Sequence, residues 1–457
     1  MAGIGFELRK LLQKQSYFGL FQAYAYAGII SSGPWVLSIV GILFVGFLSL
    51  GVVYPHALIV QFQVSVTYLI LSSLILTGFI QLGFTRFIAD GLFKKQDESV
   101  LPNFNGMLLI VTSISGILGM LLLFVFFSEM SIPYRLLMLS GFVILCAIWV
   151  ATIFLSGMKQ YKEIVVVFAI GYSVTVLGAL VLRTKGMEGL LLGFVIGHFV
   201  LLIGMVSLTL RTFPLTNVSV AFDFLKPGAM YISLIWSGFV YNLAVWVDKL
   251  MFWFYPDTSQ LIIGPLRASL IYDLPIFLAY LAIIPGMAVF LVRIETDFVE
   301  YYEKFYNAVR EGGSLDHIEN MRDNMLFTVR QGLFEIVKIQ AIAVLAVFVL
   351  GEKLLGWLGI SSLYLPLLYV DVVAAGLQVV LLGILNIFFY LDKRNIVVFL
   401  CVLFLAANVA LTALSLQLGA SYYGYGFAIA LLITVLTGMK LLSRKLDLLE
   451  YETFMLQ

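Results

Sequence analysis

Five ionisable side chains, Asp248, Lys249, Arg267, Asp273 and Asp371, lie inside or at the edge of strongly apolar stretches. A charge at membrane depth is costly, so such residues face a pathway or a partner. Buried carboxylates can bind H⁺ or Na⁺, which makes Asp248, Asp273 and Asp371 candidate coupling residues. Equally, Lys249 or Arg267 can pair with an Asp on a neighbouring helix, or snorkel towards the interface. A second group is uncharged. Gln61, Gln63, Asn242, Gln378, Asn386 and Asn408 offer amides, and Tyr24, Tyr26, Trp35, Tyr231, Trp236 and Trp246 offer aromatic faces. Amides and rings together suit sugars, which present hydroxyls around the ring and apolar C–H faces for stacking. The same aromatics also populate interface belts.

The run Ser31-Ser32-Gly33-Pro34-Trp35 places a helix breaker near the middle of the first apolar stretch. Pro34 removes a backbone donor and frees a carbonyl, which makes a hinge, a binding site or a simple kink. The candidate transport path is therefore Ser32, Gly33, Pro34, Trp35, Tyr231, Trp236, Asn242, Asp273, Asp371 and Gln378.

Enzymatic chemistry has no foothold of this kind. The sequence contains neither a Gly-rich phosphate loop ending in Lys-Ser/Thr nor a His-Glu-x-x-His pair. His56, His198 and His317 are far apart, and Cys146 and Cys401 lie in apolar segments as small hydrophobes. No cofactor, metal or catalytic residue is expected. A net charge of +1 offers no platform for nucleic acid.

The elements that must position these residues are set by composition. Of 457 residues, 62% are hydrophobic and 12% charged, and the mean hydropathy is +1.05, so the bilayer is the solvent for most of the chain. A spanning helix needs about 20 mostly apolar residues. Such stretches occur at roughly 22–50, 58–83, 103–128, 135–157, 164–182, 189–210, 228–254, 266–291, 332–350, 362–391, 396–417 and 425–442. With both termini inside, only six of the 27 Lys and Arg fall on outer ends, namely Arg135, Arg183, Lys185, Lys249, Arg267 and Lys353. That asymmetry predicts cytoplasmic termini. The first stretch is too long for a signal-peptide core, so no cleaved leader is expected.

The two halves repeat. Tyr26, Ser32 and Gly33 recur 205 positions later as Tyr231, Ser237 and Gly238, and Arg86-x3-Asp90 recurs 207 later as Arg293-x3-Asp297. Ile164-Val-Val after Lys162 matches Ile396-Val-Val after Arg394. Six spans per repeat give both halves the same orientation, with substrate expected at their interface. This predicts an N-terminal six-helix lobe at 1–227 and a C-terminal one at 228–457, the latter carrying a cytoplasmic amphipathic segment at about 292–331. There Phe298, Tyr301, Tyr302, Phe305, Tyr306 and Val309 share one helical face, Gly312-Gly313 ends the helix, and Ser314 can cap the next. The face either lies in the headgroup region or docks a cytosolic partner through Tyr301, Tyr302, Phe305 and Tyr306. Ile4, Leu8, Leu11 and Leu12, interleaved with Glu7, Arg9, Lys10 and Lys14, predict a second interfacial helix at the N-terminus.

The opening Met1-Ala-Gly-Ile-Gly-Phe-Glu-Leu-Arg-Lys-Leu-Leu12, with Gln22-Ala-Tyr-Ala-Tyr-Ala-Gly-Ile-Ile-Ser-Ser-Gly-Pro-Trp35, resembles the start of the PelG family, inner-membrane components of bacterial Pel exopolysaccharide systems. The resemblance implies an all-α integral membrane protein of the MOP flippase fold, with about twelve transmembrane helices in two parallel six-helix bundles around a cavity. It also implies a location in the bacterial cytoplasmic membrane and contact with membrane lipid. The implied partners are the cytosolic glycosyltransferase PelF, the cyclic-di-GMP receptor PelD and the membrane protein PelE. The implied substrate is a polysaccharide rich in N-acetylgalactosamine and N-acetylglucosamine. The remaining alternatives are an ion-coupled flippase of lipid-linked oligosaccharide and a structural scaffold of the synthase.

Overall fold

The computed structural model describes residues 17–157, 161–214 and 216–455. The expected N-terminal interfacial helix lies outside them, as do the side chains of residues 32–36. The helices are α1 (Tyr17–Ser49), α2 (Ala57–Phe93), α3 (Asp97–Phe126), α4 (Ile132–Gly157), α5 (Tyr161–Leu182), α6 (Gly186–Thr212) and α7 (Ile232–Phe254). A short antiparallel hairpin, β1 (Gln260–Ile263) and β2 (Leu266–Ala268), separates them from α8 (Leu270–Leu281), α9 (Ile284–Val292), α10 (Val299–Arg310), α11 (Leu315–Trp357), α12 (Leu365–Tyr390), α13 (Arg394–Leu418), α14 (Tyr425–Asp447) and α15 (Leu449–Met455).

Eight stretches among the described residues are long and apolar enough to cross a membrane, and a ninth is the bent pair Leu270–Leu281 and Ile284–Arg310. One of the eight, Lys162–Thr212, contains both α5 and α6. With these two taken separately and α1 and α7 added, the arrangement matches the expected twelve spans. The 22 to 43 residues of each unbroken spanning helix correspond to roughly 33 to 65 Å at about 1.5 Å per residue, enough for the hydrocarbon core and, in α11, a cytosolic extension.

Two compact units divide the chain. One comprises the segment ending at Ser32, Val247–Met251 and Ile271–Gln457; the other comprises Gly33–Trp246 and Phe252–Leu270. In the second unit, Phe62, Val66, Leu69, Ser73, Thr77, Phe84 and Ile88 are buried along α2. Their spacing of three, four or seven traces one helical stripe. Phe104 and Phe154 meet over this core with ring centroids 4.6 Å apart. Helices α5 and α6 approach closely because α6 carries Gly193 and Gly197: an added Cβ would fall 2.2 Å from Ala179 N and 2.5 Å from Thr175 N. Small residues that let backbones touch replace hydrophobic association as the source of helix contact in lipid. The first unit is built likewise, with Ile336, Ile384, Phe388, Phe404 and Phe427 buried.

The structure departs from the sequence expectation in three places. α1 remains helical through Ser32, Gly33, Pro34 and Trp35, whereas the sharp bend, 41°, falls between Leu281 and Ile284. There Pro285 brings no N–H for the Leu281 carbonyl, and beside it Gln340 Nε2 donates to the Ala282 carbonyl at 3.0 Å. The eighth span starts at Leu270 rather than 266 because the preceding residues pair as the hairpin. That hairpin is held to α2 by Gln61, whose amide donates to the Ile262 carbonyl at 3.2 Å, and by Tyr68, which donates to the Arg267 carbonyl at 2.8 Å. Finally, a π-helical turn, Arg293–Phe298, joins α9 to α10.

Candidate functional site

The repeated Arg-x3-Asp pairs form the same local structure in the two units. Arg86 Nε meets Asp90 Oδ1 at 2.9 Å, and Arg293 Nη1 meets Asp297 Oδ2 at 2.7 Å. The second pair is elaborated: Arg293 also binds Glu335 of α11 through Nε at 2.5 Å and Nη2 at 3.0 Å. The bidentate fork ties the π turn to α11. On the same turn, Glu295 accepts from Asn386 Nδ2 at 2.6 Å and from Tyr390 Oη at 2.9 Å. Asn386 is thus a structural ligand of a carboxylate.

Within the first unit the ionisable residues converge. Asp248 and Lys249, on α7, are 0% and 1% exposed, and Asp371, on α12, is 0% exposed. Lys249 Nζ donates to Asp248 Oδ2 at 3.1 Å and to the Tyr280 hydroxyl at 3.3 Å, and lies 4.8 Å above the Phe427 ring. The Tyr272 hydroxyl donates to Asp248 Oδ2 at 2.6 Å. Lys249 therefore does not snorkel; its ammonium is solvated by a carboxylate, a phenol and a ring face, as a buried cation requires. Arg267 belongs to β2 and donates from Nη1 to Ser259 Oγ at 2.6 Å. Asp273 falls in the first turn of α8 and is half-buried, because the hairpin postpones the helix start. A carboxylate there meets the positive end of the helix dipole.

Asp371 differs from the others: neither carboxylate oxygen has a hydrogen-bond partner. Gln378, seven residues on, lies on the same stripe of α12, about 10 Å along the axis, and its Oε1 is likewise without a partner, as is Gln340 Oε1 from α11. Sequence reading selected Asp371 and Gln378 but not Gln340, Tyr272 or Tyr280. Those three stand out only once the helices that carry them are packed.

Within the second unit, the uncharged candidates gather on α2 and α7. Phe79 stacks on Phe239 with centroids 3.9 Å apart, and the half-exposed Trp236 meets each edge-on at 6.1 Å. This close crossing depends on Gly238, where a Cβ would come within 2.3 Å of the Gly78 carbonyl oxygen. Asn242, one turn further, has its amide against Gly78. Tyr231 precedes α7 and lines a cavity. A stacked aromatic platform next to an amide can hold the apolar face and the polar rim of a pyranose.

The predicted docking face is largely satisfied internally. Phe305 is buried, Tyr302 packs on Tyr390 with centroids 5.7 Å apart and on Tyr306 at 4.6 Å, and Tyr301 carries Lys304 over its ring at 4.9 Å. Ser314 caps α11 as expected, accepting from the His317 N–H.

The family model for PelG, described as "Putative exopolysaccharide Exporter (EPS-E)", matches residues 1–454. The chain belongs to the PelG family. None of the curated proteins matches significantly. Among solved structures, this PelG-family chain is similar to an outward-facing multidrug resistance MATE transporter of the MOP superfamily, at 13% identity, TM-score 0.66 and 99% coverage of both chains. It is also similar to a MOP superfamily transporter from Pyrococcus furiosus, at 13% identity and TM-score 0.63, covering 93% of this chain and 96% of that one. An inward-facing MATE transporter matches at 12% identity and TM-score 0.59, with 92% and 99% covered. The fold is that of MOP transporters, and both family and fold are those of membrane transporters rather than enzymes.

Proposed function

We propose that this PelG-family protein is the conduit by which an N-acetylhexosamine polymer crosses the bacterial inner membrane while a cytosolic glycosyltransferase extends it. The observation that supports this most is the family match over residues 1–454 of a chain with a MOP transporter fold throughout. The platform of Trp236, Phe79 and Asn242 suits an uncharged sugar chain. In this reading both termini are cytoplasmic, in keeping with the Lys and Arg asymmetry. PelF, PelD and PelE supply synthesis and regulation, docking on the edge that Tyr301, Tyr302 and Tyr306 leave partly exposed, since Phe305 is buried. The test is secretion by cells carrying Trp236→Ala or Gly33→Trp. Secreted polymer should fall severalfold with the protein's membrane level unchanged and, for Gly33→Trp, with the synthase complex still assembled. Normal secretion from both variants would overturn the conduit.

A specific observation favours a second reading, an ion-coupled flippase of lipid-linked oligosaccharide using Asp248, Asp273 or Asp371. It is the fully buried Asp371 carboxylate, whose two oxygens accept no hydrogen bond. Asp371→Asn that abolishes export while leaving folded protein supports it; unimpaired export in Asp371→Asn returns the drive to polymer synthesis.

A further inference from the structure

The buried charges of the first unit do not balance as they stand. Asp248 and Lys249 form an ion pair at 3.1 Å. Asp371 is a further buried acid in the same place, and neither of its oxygens has a hydrogen-bond partner. Helix α14 sets the spacing between them. Gly424, just before it, has φ +84°, and a Cβ there would fall 3.0 Å from Asp371 Oδ1. Phe427, one turn further, carries Lys249 Nζ 4.8 Å above its ring. Asp371 and the ammonium therefore face α14 about one turn apart, ~5 Å along its axis, and Asp371 lies within electrostatic reach of both Lys249 and Asp248.

The other titratable groups of this region sit mainly on α8. Tyr272 and Tyr280 are within electrostatic reach of Asp371, and their hydroxyls bond Asp248 and Lys249. Asp273 follows Tyr272 in the half-buried first turn, and Tyr423 precedes Gly424. On α11, Glu352 and Lys353 are exposed, and α13 brings no acid or base beyond Arg394 at its start and the buried thiol of Cys401. An ionised Asp371 leaves one negative charge in excess, in apolar surroundings and without a donor. Burying an isolated carboxylate costs far more than burying a neutral acid that lacks a partner. A hard metal cation would also neutralise it, but needs about six oxygens around it. The Lys249 ammonium already fills the space between Asp248 and Tyr280, and among the described residues no group of three or more His, Cys, Asp or Glu side chains is placed to hold a metal ion.

We infer that Asp371 is a proton-binding site, with Lys249 as a tethered cation standing where a free metal ion would otherwise sit. This deepens the ion-coupled reading and rests on it, making the ion H⁺ rather than Na⁺. The proton passes between an Asp371 oxygen and water. Lys249 stays charged throughout, and on proton loss its ammonium is the counter-charge within reach. Asp371 is six residues into α12, ~9 Å from its start, so in the proposed orientation the proton exchanges with the periplasmic side.

The experiment records infrared spectra of purified full-length protein at neutral pH, with sodium or choline as the added cation, and repeats them for Asp371→Asn. Asn keeps the shape of the side chain and removes the acid. The expected result is a carboxylic-acid carbonyl band that shifts on exchange into D₂O, is the same in sodium and choline, and is lost in Asp371→Asn. Absence of the band from the unaltered protein, its persistence unchanged in Asp371→Asn, or its removal by sodium overturns the assignment. The sodium comparison is made on the unaltered protein, so it holds whether or not the variant folds. Export is measured in parallel. The expected band together with normal export by Asp371→Asn removes the ion-coupled reading and leaves the proton site standing. A band that sodium removes, with export abolished in folded Asp371→Asn, removes the proton site and leaves coupling to Na⁺.

Discussion

The Tyr272 hydroxyl donates to Asp248 Oδ2 over 2.6 Å, and neither side chain reaches the surface. That bond, with Lys249, completes the solvation of a carboxylate held away from water. Tyr272→Phe removes the donor without changing the ring. A hydrogen bond to a charged group is worth about 1.5–3 kcal/mol, so unfolding in detergent should occur with a loss of that order.

Breaking the ion pair should cost more than removing both its members. Lys249→Met strands the Asp248 charge and is expected to destabilise by about 3–5 kcal/mol. The double variant Asp248→Asn, Lys249→Met leaves no uncompensated charge and should recover much of the loss. Equal unfolding midpoints for single and double variants would argue against a pair that serves to neutralise buried charge.

Gly238 and Gly91 should respond oppositely to the same substitution. Gly238→Ala drives a methyl group into the Gly78 carbonyl and should destabilise by about 1–3 kcal/mol through overpacking. Gly91 is helical with open space around it, so Gly91→Ala should be neutral or stabilise by about 0.5–1 kcal/mol. Thermal unfolding of the two proteins under identical conditions checks the sign.

The C-terminal helix α15 should loosen in acid. Glu452 pairs with Lys393 at 2.6 Å and with Lys445. Burial raises its proton affinity, but the two lysines outweigh that and hold the carboxyl below the usual glutamate range. A depressed carboxyl contributes stability above its unfolded value, near 4.3, and loses it as pH falls through the folded value. Hydrogen exchange at residues 449–455, corrected for intrinsic rate, should be constant from pH 8 to pH 5 and rise below about 4. Glu452→Gln should exchange fast throughout.

Gln340 holds the bend between α8 and α9 through the Ala282 carbonyl. Gln340→Leu keeps the volume but strands that carbonyl, at about 1–3 kcal/mol. Faster exchange confined to residues near 282–287, relative to the unaltered protein, is the expected signature.

Membrane class and number of spans were legible from the sequence because each depends on local composition or on order along the chain. Apolar runs of about 20 residues have one stable solution in lipid, and Arg86-x3-Asp90 and Arg293-x3-Asp297 form their i,i+4 pairs within a single helical turn. The neighbours of each polar group depend instead on helices far apart in sequence. Pro34 looked like the break, yet α1 stays helical there and the chain bends next to Ala282, whose carbonyl Gln340 binds from 58 residues away. Lys249 read as a cation that either pairs with an Asp on a neighbouring helix or snorkels, and it pairs, but with its own neighbour Asp248, while Tyr280 and Phe427 complete its surroundings. Asp273 read as deep and proved to open a helix, because Tyr68 and Gln61 hold a hairpin that no hydropathy pattern marks. Composition determined that this chain lives in a bilayer; only tertiary packing decided which of its charges are satisfied, and it left the Asp371 oxygens without a partner.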